Sequence, residues 1–474
     1  MTEPSSSAEN RPKSAIVAGR SQKRRVEAGA YVSVAFIHLS DIHFGQEKGG
    51  EVTVHDDVKA RLVDDVAQVV RTLPQRSAQG IIISGDIAYA GRADEYQKAA
   101  PWLDQLAAAA GCPNTAIQLV PGNHDIDRSK ITHLVRRALE DIAAKGEPML
   151  DAVLEAAVDR EMFYARFEGY RPFAAGYGCP LDFEGGHAGE RVIEIAPNRS
   201  LRFIGLNTAL ICGALREEHG RLLLGARQRV VPKRSGEEVV LIAHHPLAWL
   251  QDSDDAARYI RNRARVLITG HEHNPSARVD TVRDGCDVLM LAAGAAVPPH
   301  ANDGYTYTYN LLEFAWDPAT DGLQVTVTPR AWLDDDKNFR ADGGKLGIEQ
   351  RTFSLGCPNF RQAGQSPRHG ETEHSDGAAV RVGDDVVKSP APPEPDNRKG
   401  AESMDDRFAM LRLRFFRELS PAKRIAVLVK LGVLPEDWSE AMTHPIELRV
   451  IEKLRADGRL DDLERALNEV NENQ

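Results

Sequence analysis

Seven short runs of continuous apolar sequence limit this chain's fold more than any other feature. They lie at residues 34–39, 80–84, 116–120, 201–206, 239–243, 265–269 and 287–291. Runs of this length, rich in Val, Ile and Leu and without polar alternation, suit strands buried on both faces. Between the first two, Val58, Leu62, Val66, Val69, Val70 and Leu73 recur at helical spacing with charges between them, which predicts an amphipathic helix. Strand, helix, strand is the pattern of a layered α/β domain.

The rest of the chain is organised around this pattern. Residues 1–33 are polar and low in aromatics, and read as a disordered tail. Residues 127–191 are mostly helical in pattern and charged, an insertion between core strands and a candidate cap over a site. Tyr305, Tyr307 and Tyr309 alternate in β fashion, and the pattern continues through residues 323–327, which predicts a second sheet or edge strands. Residues 357–401 turn to Pro, Gly, Ser and acid and read as a flexible linker. Residues 402–474 are helical, with Ser420 as an N-cap before Pro421 and a stop at Asp457-Gly458. The expected domains are therefore 34–356, carrying the insertion, and a small separate all-α unit at 402–474.

Composition bears on partners and setting. The net charge of -11 excludes a general nucleic-acid coat and disfavours anionic membranes. No apolar run is long enough to span a bilayer. Five scattered cysteines without a CxxC pair argue against a disulfide framework and for a reducing cytoplasm.

The chemistry sits at the ends of the apolar runs, where ligands gather in layered α/β folds. Five motifs follow them: Asp41-Ile42-His43, Gly85-Asp86, Gly122-Asn123-His124-Asp125, His244-His245-Pro246 and Gly270-His271-Glu272-His273. Asp41 and His43 are two apart just past a strand, so extended geometry sends both side chains the same way; His271 and His273 repeat the spacing. Asp86 directly follows a buried strand, where a carboxylate is costly unless paired or metal-bound. Carboxylates and imidazoles together suit Mn, Fe or Zn better than Ca.

In this order the motifs resemble the calcineurin-like metallophosphoesterase superfamily, over residues 34–328. The resemblance implies a four-layer α/β/β/α sandwich and two divalent or trivalent metal ions, Mn, Fe or Zn. Asp41, His43 and His273 would hold one ion, and Asn123, His244 and His271 the other, with Asp86 between them. A metal-bridging hydroxide would attack phosphorus. His124 would steady the transition state or protonate the leaving oxygen, with Asp125 orienting its imidazole; His245 would lie behind the ligands. Asp86-Ile87-Ala88-Tyr89 resembles a stretch where purple acid phosphatases use a tyrosine ligand. Those enzymes lack a histidine at the position of His43, so Tyr89 is not expected to bind metal. The motif set is closest to the cyclic-nucleotide phosphodiesterase branch. Its substrates would be a cyclic nucleotide, another phosphodiester or a nucleic acid.

The C-terminal helices loosely resemble bacterial effector-associated or death-fold-like adaptors of signalling and defence proteins. They carry no candidate catalytic residue and read as a module for a protein partner or self-association. Two alternatives accompany the phosphodiesterase reading: a nuclease acting on DNA or RNA, and a non-catalytic adaptor that senses a nucleotide.

Overall fold

The computed structural model describes residues 33–213, 218–281, 287–298, 306–344, 350–363, 403–435, 438 and 442–472. The expected N-terminal tail up to residue 32, the linker from residue 364, and Tyr305 lie outside them. The strands are β1 (Val34–Leu39), β2 (Gly80–Ile83), β3 (Ile117–Leu119), β4 (Glu190–Ala196), β5 (Arg199–Gly205), β6 (Glu237–Ile242), β7 (Ala264–Thr269), β8 (Ser276–Asp280), β9 (Val288–Ala292), β10 (Thr308–Asp317), β11 (Gly322–Leu333), β12 (Asn338–Ala341) and β13 (Arg351–Leu355). Among the described residues they form two sheets. One runs β12-β11-β10-β1-β2-β3, with β13 also on β11; the other runs β4-β5-β6-β7-β9-β8.

The apolar runs are strands because each buries both of its faces, in two different cores. On β1, Phe36 faces the core between the sheets, while Ile37 and Leu39 face outward; on β6, Val240 and Ile242 point inward and Val239 and Leu241 outward. Phe36 from the first sheet meets Phe203 from the second with ring centroids 4.9 Å apart. Helices cover the outer faces. Helix α1 (Glu51–Val70) places Val58, Leu62 and Val66 over the first sheet beside α2 (Ala93–Ala110), joined there by Leu103 and Leu106. These layers are the expected four-layer sandwich.

The tyrosine-rich alternation does not start a second sheet or an edge. β10 pairs with β1 through Phe36↔Leu312, and Tyr309 is buried, donating to Asp65 at 2.5 Å. β10 is interior because β1 pairs with it on one side and β11 on the other, and its two faces supply Leu311 to one core and Leu312 and Phe314 to the other.

The insertion is helical as expected: α3 (His133–Lys145), α4 (Glu147–Glu155), α5 (Ala157–Tyr164) and α6 (Tyr170–Gly176). The short α7 (Ala226–Arg229) and α8 (Ser253–Arg263) belong to the second half. Helix α9 (Pro358–Ala363) falls inside the expected linker. Cys357 and Phe360 are fully buried there, and Asn359 binds the Glu238 carboxylate and the Glu237 carbonyl. The packed region thus runs at least to residue 363, past the expected boundary at 356, because an aromatic and an amide anchor a segment whose neighbours are Pro- and Gly-rich.

The C-terminal helices are α10 (Met404–Glu418), α11 (Pro421–Lys430), α12 (His444–Ala456) and α13 (Leu460–Glu472). Ser420 caps α11 by accepting from the Lys423 amide, with Pro421 at the first position. Leu411, Phe415, Leu428, Ile451, Leu454 and Leu463 make an apolar core of their own. The bundle leans on α6: Ala175 enters its core, Leu413 enters the larger core, and Arg417 makes a two-armed ion pair with Asp104 of α2. Among the described residues, no helix is long and apolar enough to cross a membrane.

Candidate metal centre

The loops after β1, β2, β3, β6 and β7 meet at one end of the two sheets, and the seven side chains expected to be ligands converge there. On one side, His273 Nε2 lies 3.1 Å from Asp41 Oδ1, and His43 Nε2 lies 3.4 Å from Asp86 Oδ2. On the other, His244 Nε2 lies 3.2 Å from Asn123 Oδ1 and 3.3 Å from His271 Nδ1. Asp86 stands between the two sides, its Oδ2 also 3.2 Å from His244 Nε2, while its Oδ1 accepts from the His124 amide at 2.7 Å.

The convergence has a different cause from the one expected. Asp41, His43, Asp86, His271 and His273 do not leave their strands extended; each has φ between 55° and 72°. The left-handed region is unfavourable for residues with a Cβ, at roughly 1–3 kcal/mol each. Backbone bonds hold the strained residues in place. The Asp41 amide donates to Gly85 O at 3.0 Å, the His43 amide to Asp86 O at 3.0 Å, and the His271 amide to Asp41 Oδ2 at 3.1 Å. Gly85 is required, because a Cβ there would run into the His244 ring.

Further bonds aim the rings. His43 Nδ1 faces the Val297 carbonyl at 3.2 Å, and His244 Nδ1 faces the Ser84 carbonyl at 2.8 Å. A carbonyl only accepts, so both Nδ1 atoms carry a hydrogen, and both Nε2 atoms are turned toward Asp86. Backbone acceptors of this kind leave no mark in a sequence.

The electrostatics fit cations. Asp41 and Asp86 are buried, and among the described residues neither has a Lys or Arg ion-pair partner. Burial opposes charge on Asp86, but the His244 and His43 imidazoles outweigh it and hold its pKa well below the ordinary value. Burial likewise opposes charge on His244, yet Asp86 and Asp41 push its pKa up to about 9. Burial and the charge on His244 depress His271 to about 4. A buried site with two carboxylates, four imidazoles and one amide oxygen has the donor chemistry for two borderline cations. Asp41, His43 and His273, and likewise Asp41, Asp86 and His244, bring their donor atoms within 4.8 Å of one another.

The loop after β3 places His124 beside this cluster, its ring 4.9 Å from that of His43. Asp125 does not orient it. His124 Nδ1 instead faces the Tyr89 carbonyl at 2.7 Å, and the Tyr89 ring stacks on His124 at 5.2 Å. The buried Asp125 carboxylate accepts from the amides of Ala88 at 3.0 Å and Gly122 at 2.9 Å and from the Tyr96 hydroxyl at 2.9 Å. It ties two ligand loops together; a carboxylate already taken by these donors is turned away from its neighbour's ring. His245 is fully buried behind the cluster, as expected, with Nδ1 2.9 Å from Thr208 Oγ1. Trp249, which sequence reasoning passed over, sets its ring 4.1 Å from His271.

The model of the calcineurin-like phosphoesterase family matches residues 34–275, and that of the GTPase-associated adaptor domain matches residues 407–469. The metallophosphoesterase-like protein YydB of Bacillus subtilis is 24% identical over 280 residues, covering 56% of this chain and 54% of that protein. The chain thus spans about half the length of the curated relative it matches. A dimetal phosphatase from Danio rerio is 14% identical with a TM-score of 0.36, covering 68% of this chain and 99% of that one. A purple acid phosphatase from yellow lupin seeds is 10% identical with a TM-score of 0.36, covering 69% and 55%.

Proposed function

We propose that this chain, which belongs to the calcineurin-like phosphoesterase family, is a metal-dependent phosphodiesterase delivered to its place of action by its C-terminal helices. The observation that carries this reading is the position of Asp86, with one carboxylate oxygen facing imidazoles from both halves of the cluster. In this reading Asp41, His43 and His273 would hold one cation and Asn123, His244 and His271 the other, with Asp86 available to both; Mn, Fe and Zn all suit these donors. When bound, two such cations supply Lewis-acid charge to the phosphate and lower the pKa of water enough for attack near neutral pH.

The chain's own residues do the rest. Because His124 Nδ1 is committed to the Tyr89 carbonyl, Nε2 is the nitrogen that, in the imidazolium form, passes its proton to the departing oxygen. The Tyr89 stack keeps that ring in place. Asp125 acts one step back, by fixing the loop that carries Asn123 and His124 to the loop that carries Asp86. Tyr89 and Trp249 offer aromatic faces beside His124 and His271. Two such faces suit a diester with a planar group on each side of phosphorus better than a monoester.

For the helices, the adaptor family's description supports a protein partner, and a nucleotide-hydrolysing GTPase is the partner class we assign. Among the described residues, four free, buried cysteines support a reducing, cytoplasmic setting. The test is hydrolysis of bis-p-nitrophenyl phosphate against p-nitrophenyl phosphate by Mn²⁺-loaded protein. Faster cleavage of the diester, lost on metal stripping, is expected. Equal rates in stripped protein overturn the hydrolase, and tight nucleotide binding without turnover favours a sensing role instead.

A further inference from the structure

Behind the cage, three donors outside the seven come together. Cys212 and His245 are fully buried, and Glu218 is half-buried. Cys212 Sγ lies 3.9 Å from His245 Nε2, and the donor atoms of Cys212, Glu218 and His245 all lie within 4.8 Å of one another. We propose that these three residues form a third cation site, distinct from the paired centre, which takes a thiolate-preferring divalent ion such as zinc.

The spacing suits the ion. Zn–S and Zn–N bonds of about 2.3 and 2.0 Å at a tetrahedral angle put sulfur and nitrogen roughly 3.5 Å apart, so a few tenths of an ångström of closure brings Cys212 and His245 to that spacing. The supporting bonds also suit it. Thr208 Oγ1 lies 2.9 Å from His245 Nδ1 and 3.0 Å from the His245 amide. With the amide already donating to this hydroxyl, Nδ1 is engaged and Nε2 is the nitrogen left facing the sulfur, the arrangement that orients a metal-binding histidine. Glu218 Oε1 accepts the Gly213 amide at 2.6 Å, which fixes its carboxylate over the turn that carries Cys212. The Arg166 guanidinium, fully buried, donates to the Cys212 carbonyl at 2.9 Å and to the Leu210 carbonyl, closing the same turn from below.

Binding breaks the Cys212 S–H bond, sends its proton to solvent and forms a sulfur–metal bond. One thiolate and one carboxylate then balance the two charges of the ion. His245 adjoins His244 in the chain and packs its ring 4.5 Å from that of His271. An ion here therefore braces the turn at 208–213 against two residues of the paired centre. The site does not depend on the phosphodiesterase reading, since its donors are separate.

Cobalt(II) separates the two centres, because only the third site has sulfur. Full-length protein loaded with cobalt should absorb in the near-ultraviolet through thiolate-to-cobalt charge transfer. Cys212→Ser should lose that band and one bound cobalt per chain while keeping its circular dichroism. Asp86→Ala, which breaks the paired centre, and Cys112→Ser should both keep the band. Thr208→Val, which leaves the three donors in place, should weaken the cobalt affinity read by the band about tenfold or more. A cobalt-saturated wild type without the band, or a band that survives Cys212→Ser, overturns the proposal. A wild type that shows the band but binds no cobalt beyond that one ion would instead count against the hydrolase alone.

Discussion

The end of the sandwich and the C-terminal bundle are held together in opposite ways. At the sandwich end, five non-glycine residues sit in left-handed backbone, and two carboxylates are buried with imidazoles as ion-pair partners. In the bundle, the described left-handed residues are Gly432 and Gly458, its core is apolar, and its Arg–acid pairs are mostly at the surface. Glycine adopts that backbone without strain, whereas Asp and His do not. Strain kept where ligand atoms must converge is what a reaction centre requires, while a module that only recognises a partner needs an ordinary, relaxed core. The contrast is between a strained, polar centre and a relaxed, apolar bundle.

The sharpest way to break that division is to remove the shared carboxylate. Asp86→Ala should abolish phosphodiester turnover, as should chelation of wild type, while the bundle's helical signal persists; turnover surviving either would end the comparison. His124→Ala should lower turnover by about 10²-fold or more while metal content stays at the wild-type value. A matching loss of metal would make His124 a ligand instead. In the other region, Phe415→Ala should destabilise the bundle by about 3–5 kcal/mol, read by denaturant unfolding, and leave turnover unchanged. A fall in turnover would show that the bundle completes the site. The smallest effect is expected at the seam, where Arg417 pairs with Asp104 and both are about a quarter exposed. A double-mutant cycle at this pair should give a coupling of about 1 kcal/mol or less, and a much larger value would mean that the two regions fold as one.

The sequence carried the central strands and the ligand positions because both rest on composition along short stretches. A run such as 264–269 can satisfy itself only by burying both faces, and a carboxylate or imidazole at its end is expensive unless something binds it. The edge strands were harder to read. β8 is mostly exposed, and β4 has exposed residues among its buried ones, so neither makes a continuous apolar run. The turn geometry was hidden as well: two residues' spacing suggested extended chain, whereas Asp41 and His43 are held left-handed by bonds to the loop after β2. The exchange of partners at His124 was out of reach, because its acceptor is a backbone carbonyl 35 residues away and Asp125 is adjacent in sequence but engaged elsewhere. Residue types near one another in the chain suggested the right inventory; which atom meets which was decided by the packing.

Counting bound manganese by equilibrium titration tests the central claim most directly, since this hard ion disfavours a thiolate site. Wild-type protein should bind two ions per chain, and Asp86→Ala, with its fold intact by circular dichroism, should retain at most one. Two ions in both proteins, or none in the wild type, would contradict the assignment of Asp86 as the residue that both cations share.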